Sequence, residues 1–392
     1  MDERELREIL ARGEDSHHQF KSDFSHVDGL AAELIAFANT GGGQLLIGVR
    51  DDGEVSGLAR ADVARLNQLL SNAASQGVRP PLNPRSTNIQ TSQGLVMVVM
   101  VEEGLNKPYM DIQGRIWVKS GADKRHVTAR EEMQRLFQAS GLVYADEVPT
   151  PPATVEDLDL VAFARYFQQR YQRSLEDLAQ PLPQLLKNLS LVRDGVPTLA
   201  GLLLFGKDPS VFKPAFVIKA VAFPGEVLHD NQYLDSEDID GNLAEQYRRA
   251  IAFIKRNLHH VQGNQSFNSP GMLEVPLVVF EELLVNALVH RDYFISAPIR
   301  LLIFSNRIEI ISPGHLPNHL DTEQIRFGLS NLRNPALASH AFYMLPYRGL
   351  GSGIPRAMAA WSMIDLGDDR RGNQFRVVIR RQGVGNREGI GR

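Results

Sequence analysis

Three polar side chains interrupt the apolar run FEELLVNALVHRDY at residues 280–293: Glu282, Asn286 and His290. Their spacing of four puts them on one face of a helix as a single stripe. A buried polar group without a partner costs about 1–3 kcal/mol, so this stripe needs protein partners or a ligand. Further along, GLGSGIPRAM places Gly349, Gly351 and Gly353 just before a second helical pattern, with Pro355 suited to its first turn. A helix start with exposed backbone amides is a ready phosphate site. A polar helix face, a strand, a Gly/Pro turn and a Gly-rich helix start together suggest a nucleotide pocket. As a bare pattern, three such glycines are more often just a tight turn, and His290 reads as a satisfied core or supporting histidine.

These residues need elements to hold them, and 392 residues suffice for two or three domains. Forty-two Lys+Arg against 46 Asp+Glu give a net charge of −4. That balance argues against polyanion binding by the whole chain and leaves room for a local basic patch. The absence of cysteine excludes disulfides, thiolate catalysis and Cys-ligated zinc or iron–sulfur sites. The start, MDERELREIL, lacks the apolar core of a secretory signal. No run approaches the roughly 20 apolar residues of a membrane span, so a cytoplasmic protein without a membrane partner is expected.

The spacing predicts helices over 28–40, 61–76, 128–140, 240–258 and 280–293, and strands over 41–49, 94–103, 114–121, 215–225, 299–312 and 373–381. Asp52-Gly53 marks a hairpin turn. The proline-bearing polar run 146–159 predicts a linker, followed by helical sequence to about 195. The expected fold class is α+β. Its boundaries are a domain over 1–145, a linker and helical connector over 146–195, a second domain over 196–382, and a disordered tail over 383–392.

EELLVNALVHRDY, SNRIEIISPGHLP, RNPALA and GLGSGIPRA follow one another in this chain. Together they resemble the divergent ATP-binding domain of the gyrase, Hsp90, histidine kinase and MutL (GHKL) superfamily. Within it they look like the subgroup of transcriptional regulators and RecG-related ATP-binding proteins. The resemblance implies a GHKL-like α/β sandwich that binds ATP with magnesium. It implies that Asn286 coordinates the magnesium and Glu282 is the catalytic base that activates water, with Gly314, Gly349, Gly351 and Gly353 around the nucleotide. Metal and water share one side of the phosphate, so carboxylate and amide belong on one helix face. One departure stands out. Ser312 occupies the position of the superfamily's adenine-reading Asp, and Leu316 falls where a second glycine belongs.

The stretch 14–58, from EDSHHQFKSD to GEVSGL, resembles the Schlafen/AlbA-type domain, a DNA-binding α/β module, and the likeness runs to about residue 140. Some Schlafen proteins are ribonucleases with clustered carboxylates. Here Glu14 matches the first acid, but Gln19 and Gly41 stand where the others belong, so no metal-dependent nuclease activity is expected. Lys21, Arg50, Lys119, Lys124, Arg125 and His126 are candidates for phosphate contacts, with Trp117 nearby. His17 and His18 lack metal-ligand spacing.

The resulting expectation is a nucleic-acid-binding regulator, DNA favoured over RNA, with an ATP-binding and weakly hydrolysing C-terminal domain. Two rivals stay open. One is an enzyme, either a GHKL-like ATPase or a Schlafen-like RNase. The other is a non-catalytic module that assembles as a homo-oligomer.

Overall fold

The computed structural model describes residues 2–139, 142–228, 232–261, 271–317 and 320–381, so the expected tail lies outside the described residues. The chain divides into two compact units, Met1–Val143 and Tyr144–Arg392.

In the first unit a four-stranded sheet runs in the order His18–Lys21, Gly43–Ile47, Gly94–Val101, Arg85–Thr91. The first pair is parallel and the others antiparallel. Alternation along each strand serves two cores. Leu45, Ile47, Met97 and Val99 meet the helices Val27–Asn39 and Arg60–Asn72 on one face. Leu46, Val96 and Val98 meet Leu6 and Ile9 of the helix Glu3–Arg12 on the other. Val27–Asn39 is apolar nearly all round, and accordingly it is buried from Leu30 to Asn39.

The second unit is built on a six-stranded sheet ordered Asp235–Ile239, Ile218–Ala222, Ile299–Ile303, Arg307–Pro313, Gln374–Arg380, Ile364–Asp369. Only the pair Ile218–Ala222 with Ile299–Ile303 is parallel. The helices Leu243–Asn257 and Leu277–His290 share its main core. Asn242 caps the first of them in a reciprocal box with Glu245.

Several elements differ from the sequence expectation. The segment 299–312 is two antiparallel strands joined through Ser305 and Asn306, not one strand. The strand Asp235–Ile239 escapes the apolar alternation because its acids are held by arginines: Arg256 pairs with Asp235 at 2.7 Å and with Glu237 at 2.6 Å. Such charges also protect a sheet edge from pairing with another chain. The run 146–195 is not a free linker. Phe163, Tyr166, Phe167, Leu185 and Leu186 enter the core of the second unit, and Pro149 bridges to Thr198. Asp146, fully buried, accepts the Leu337 N–H at 2.8 Å. No helix among the described residues is long and apolar enough to cross a membrane.

Candidate functional site

The helix Leu277–His290 carries its polar stripe into a partly open cleft in the second unit. Facing it is the start of the helix Gly353–Ala360. A Cβ on Gly353 would lie 2.8 Å from Glu282 Oε2 and 3.1 Å from Asn286 Nδ2. Contacts that short are tighter than a side chain ordinarily makes, so glycine lets this helix start approach the stripe without the Glu282 and Asn286 head groups giving way. Glu282, Asn286, Gly314, Gly349, Gly351 and Gly353 all line this one cleft.

The stripe residues differ in what they already hold. Glu282, 8% exposed, pairs through Oε1 with Arg356 Nη2 at 2.6 Å. Burial raises its carboxyl pKa above the ordinary value, against the opposing charges of Arg356 and Arg348. His290 shares a 3.3 Å hydrogen bond with the Tyr347 hydroxyl. Burial, then the charge of Arg333, pushes its pKa down to about 4, so it is neutral at pH 7. The Asn286 side chain has no hydrogen-bond partner among the described residues. Arg356 Nε is likewise buried without a partner. Ser352, which precedes the facing helix, makes no side-chain cap, so the helix's first N–H groups keep their donor capacity.

At the other end of the cleft, Ser312 sits near the end of the strand Arg307–Pro313, buried, and its hydroxyl donates to the Ala287 carbonyl at 3.3 Å. Gly314 follows at φ +97°, and a Cβ there would fall 2.5 Å from Arg333 Nη1. Arg333 donates through Nη2 to the His315 carbonyl at 2.7 Å. Arg333, Arg348 and Arg356 all line the cleft, yet sequence reasoning gave none of them a role. The motifs containing Arg333 and Arg356 were visible as RNPALA and GLGSGIPRA. Their use as cleft cations was not, because an isolated Arg reads as surface.

In the first unit, Lys119 is not a phosphate contact. It is 7% exposed, and its ammonium donates to Gln19 Oε1 at 2.5 Å and to the Ala122 carbonyl. Desolvation lowers its pKa. Gln19 in turn donates to Glu14, which also accepts the Phe20 N–H at 2.6 Å. Lys124 is half-buried against Glu33, at 2.6 Å. Arg125 grips Glu132 with both terminal nitrogens, Arg50 holds Glu54 at 3.0 Å, and Lys21 lies 3.4 Å from Asp51. Gly41 packs beside the His17 ring.

Residues 14–128 match the family model described as "Schlafen, AlbA_2". Residues 296–379 match the one described as "Putative ATP-dependent DNA helicase recG C-terminal". The chain therefore carries an N-terminal Schlafen/AlbA domain and a C-terminal HATPase-like domain. The second match begins after the helix Leu277–His290, so Glu282 and Asn286 stand on the geometry above. No curated protein matches. Among solved structures, the DIP2311 protein from Corynebacterium diphtheriae is 20% identical, with a TM-score of 0.46, over 96% of this chain and 68% of its own. The N-terminal domain of a RecG-related protein from Nitrosomonas europaea is 26% identical, with a TM-score of 0.23, over 32% of this chain and 92% of its own.

Proposed function

We propose that the protein is a nucleic-acid-associated regulator whose C-terminal unit binds a magnesium-bound nucleoside triphosphate, ATP in the family it resembles. One observation carries the reading. The Asn286 amide, Arg356 Nε and an uncapped helix start, all without protein partners among the described residues, converge on one cleft. These donors fit phosphate oxygens, and the amide oxygen fits a hard cation.

Magnesium, when bound, neutralises phosphate charge and polarises the phosphoryl group. Asn286 Oδ1 would hold it, and Arg348 and Arg356 would meet the phosphates. Glu282 is the proton acceptor for an attacking water, and its raised pKa suits a base. Its ion pair with Arg356 occupies Oε1, and a phosphate that draws Arg356 away would free that oxygen as well. The site expected is a tight binder and slow hydrolase.

The Schlafen/AlbA unit supplies the nucleic-acid contact, with DNA the favoured partner. Lys21, Arg50, Lys124 and Arg125 would exchange their carboxylate partners for phosphates, giving salt-sensitive, largely sequence-independent affinity. Nucleotide regulates that affinity only by binding one state of the protein better than another. Metal-dependent strand cleavage is not proposed, since Glu14 already accepts two donors.

Calorimetric titration with magnesium and ATP tests the reading. The intact protein is expected to bind, and Asn286→Ala to weaken binding on the order of 10- to 100-fold, the range for a lost bond to a charged group. Absence of binding by the intact protein, or an unchanged Asn286→Ala, would overturn it.

A further inference from the structure

The cleft's phosphate end explains Asn286 and Arg356 but leaves Arg333 without a task. Arg333 lines the same cleft at the Ser312–Gly314 end, with Nη1 passing directly over Gly314. Its Nη2 bond to the His315 carbonyl is its one hydrogen bond among the described residues, and no carboxylate there pairs with it. Two acids act on it through their charge, Asp292 and Asp368, but both are committed elsewhere. Asp292 accepts the Phe294 N–H at 2.9 Å. Asp368 accepts the Leu316 N–H at 2.7 Å and pairs with Arg370 at 2.9 Å. Burial opposes the charge on this guanidinium, and it keeps donors in reserve at the Ser312–Gly314 end, where no acid among the described residues lines the cleft. Ser312, at that wall, directs its hydroxyl hydrogen to Ala287.

Resting on the nucleotide reading above, we propose that Arg333 selects the base, favouring a purine with two adjacent acceptors, as in guanine O6 and N7, over adenine. A guanidinium fork donates two parallel hydrogen bonds to that edge. Adenine presents N7 beside an amino group, so one of its donors would oppose a donor of Arg333. The lost carboxylate and the gained guanidinium act in the same direction. A carboxylate accepts from the adenine amino group, and Arg333 repels it. A bidentate pair of this kind discriminates by a factor of roughly 5 to 150.

Competition binding with the intact protein and magnesium tests the idea without relying on any variant folding. GTP and ITP, which share O6 and N7, are expected to bind alike and about tenfold or more tighter than ATP. The triphosphate of 2-aminopurine riboside, which lacks O6, should fall to the ATP level. Arg333→Met should remove the preference by weakening GTP and leaving ATP as tight or tighter, and Ser312→Asp should shift it toward ATP. ATP binding as tightly as GTP to the intact protein would overturn the inference and leave nucleotide binding standing. A uniform loss for all nucleotides in Arg333→Met would overturn it too, by assigning the residue to phosphate. Failure of every nucleotide to bind would overturn both readings.

Discussion

Each unit of this protein holds a cluster of charged and amide side chains, and the two differ in what they leave over. In the first unit, Glu14, Gln19 and Lys119 form a closed relay, with each polar head bonded to its neighbour or to backbone. Beside it Glu33 holds Lys124, although Glu33 Oε2 and, on a neighbouring strand, Gln44 Oε1 lack partners among the described residues. In the second unit, Asn286, Arg333 and Arg356 keep donors or acceptors without partners around an open cleft. Buried polar groups that satisfy one another specify a fold. Groups that stay unsatisfied at a cleft wall are poised for a ligand, and that difference separates scaffold from site here.

The sharpest way to break the comparison is Gly353→Ala. Its Cβ would intrude on both Glu282 and Asn286, forcing their head groups or the helix Gly353–Ala360 to shift. Nucleotide binding is expected to disappear in titrations, with a loss of about 1–3 kcal/mol in unfolding experiments from overpacking. Retained binding would mean that the close approach is incidental.

Asp146 shows what an unmatched group does where no cleft can supply a partner. It is fully buried, one oxygen lacks any partner, and burial pushes its pKa up to about 7 from an ordinary 3.8. The folded protein therefore holds a proton there that the unfolded chain has released between about pH 4 and pH 7. Stability contributed by that proton is full below this window and lost as pH rises through it, by at most about 4 kcal/mol. Denaturant midpoints measured from pH 4 to pH 8 should fall with pH, and Asp146→Asn should flatten the trend.

The smallest effect expected is at Lys119. Lys119→Ala leaves Gln19 Oε1 and the Ala122 carbonyl without their donor, a loss of about 1–3 kcal/mol. Nucleic-acid affinity, measured by fluorescence anisotropy at several salt concentrations, should not change. A drop in affinity with unchanged stability would return Lys119 to the surface role its sequence suggested.

The sequence made the cleft's floor legible and hid its walls. Glu282 and Asn286 stand out because a polar stripe on an apolar helix is conspicuous, and the glycines before residue 354 mark a close approach. Arg333 and Arg356 do not stand out, since nothing local distinguishes a cleft arginine from a solvated one. Lys119 misled for the opposite reason: in WVKSG it alternates like an exposed strand residue, and the groups that enclose it, Gln19 and the Phe37 ring, are distant in sequence. The run 146–159 read as a linker because its contacts to Thr198 and Leu337 are remote in sequence.

Crystallography of the protein with magnesium and a non-hydrolysable nucleoside triphosphate tests the central claim most directly. The account predicts a cation on Asn286 Oδ1, phosphates at the start of the helix Gly353–Ala360, and Arg356 turned from Glu282 toward them. A saturated crystal in which Arg356 still holds Glu282 and the cleft contains no nucleotide would contradict it.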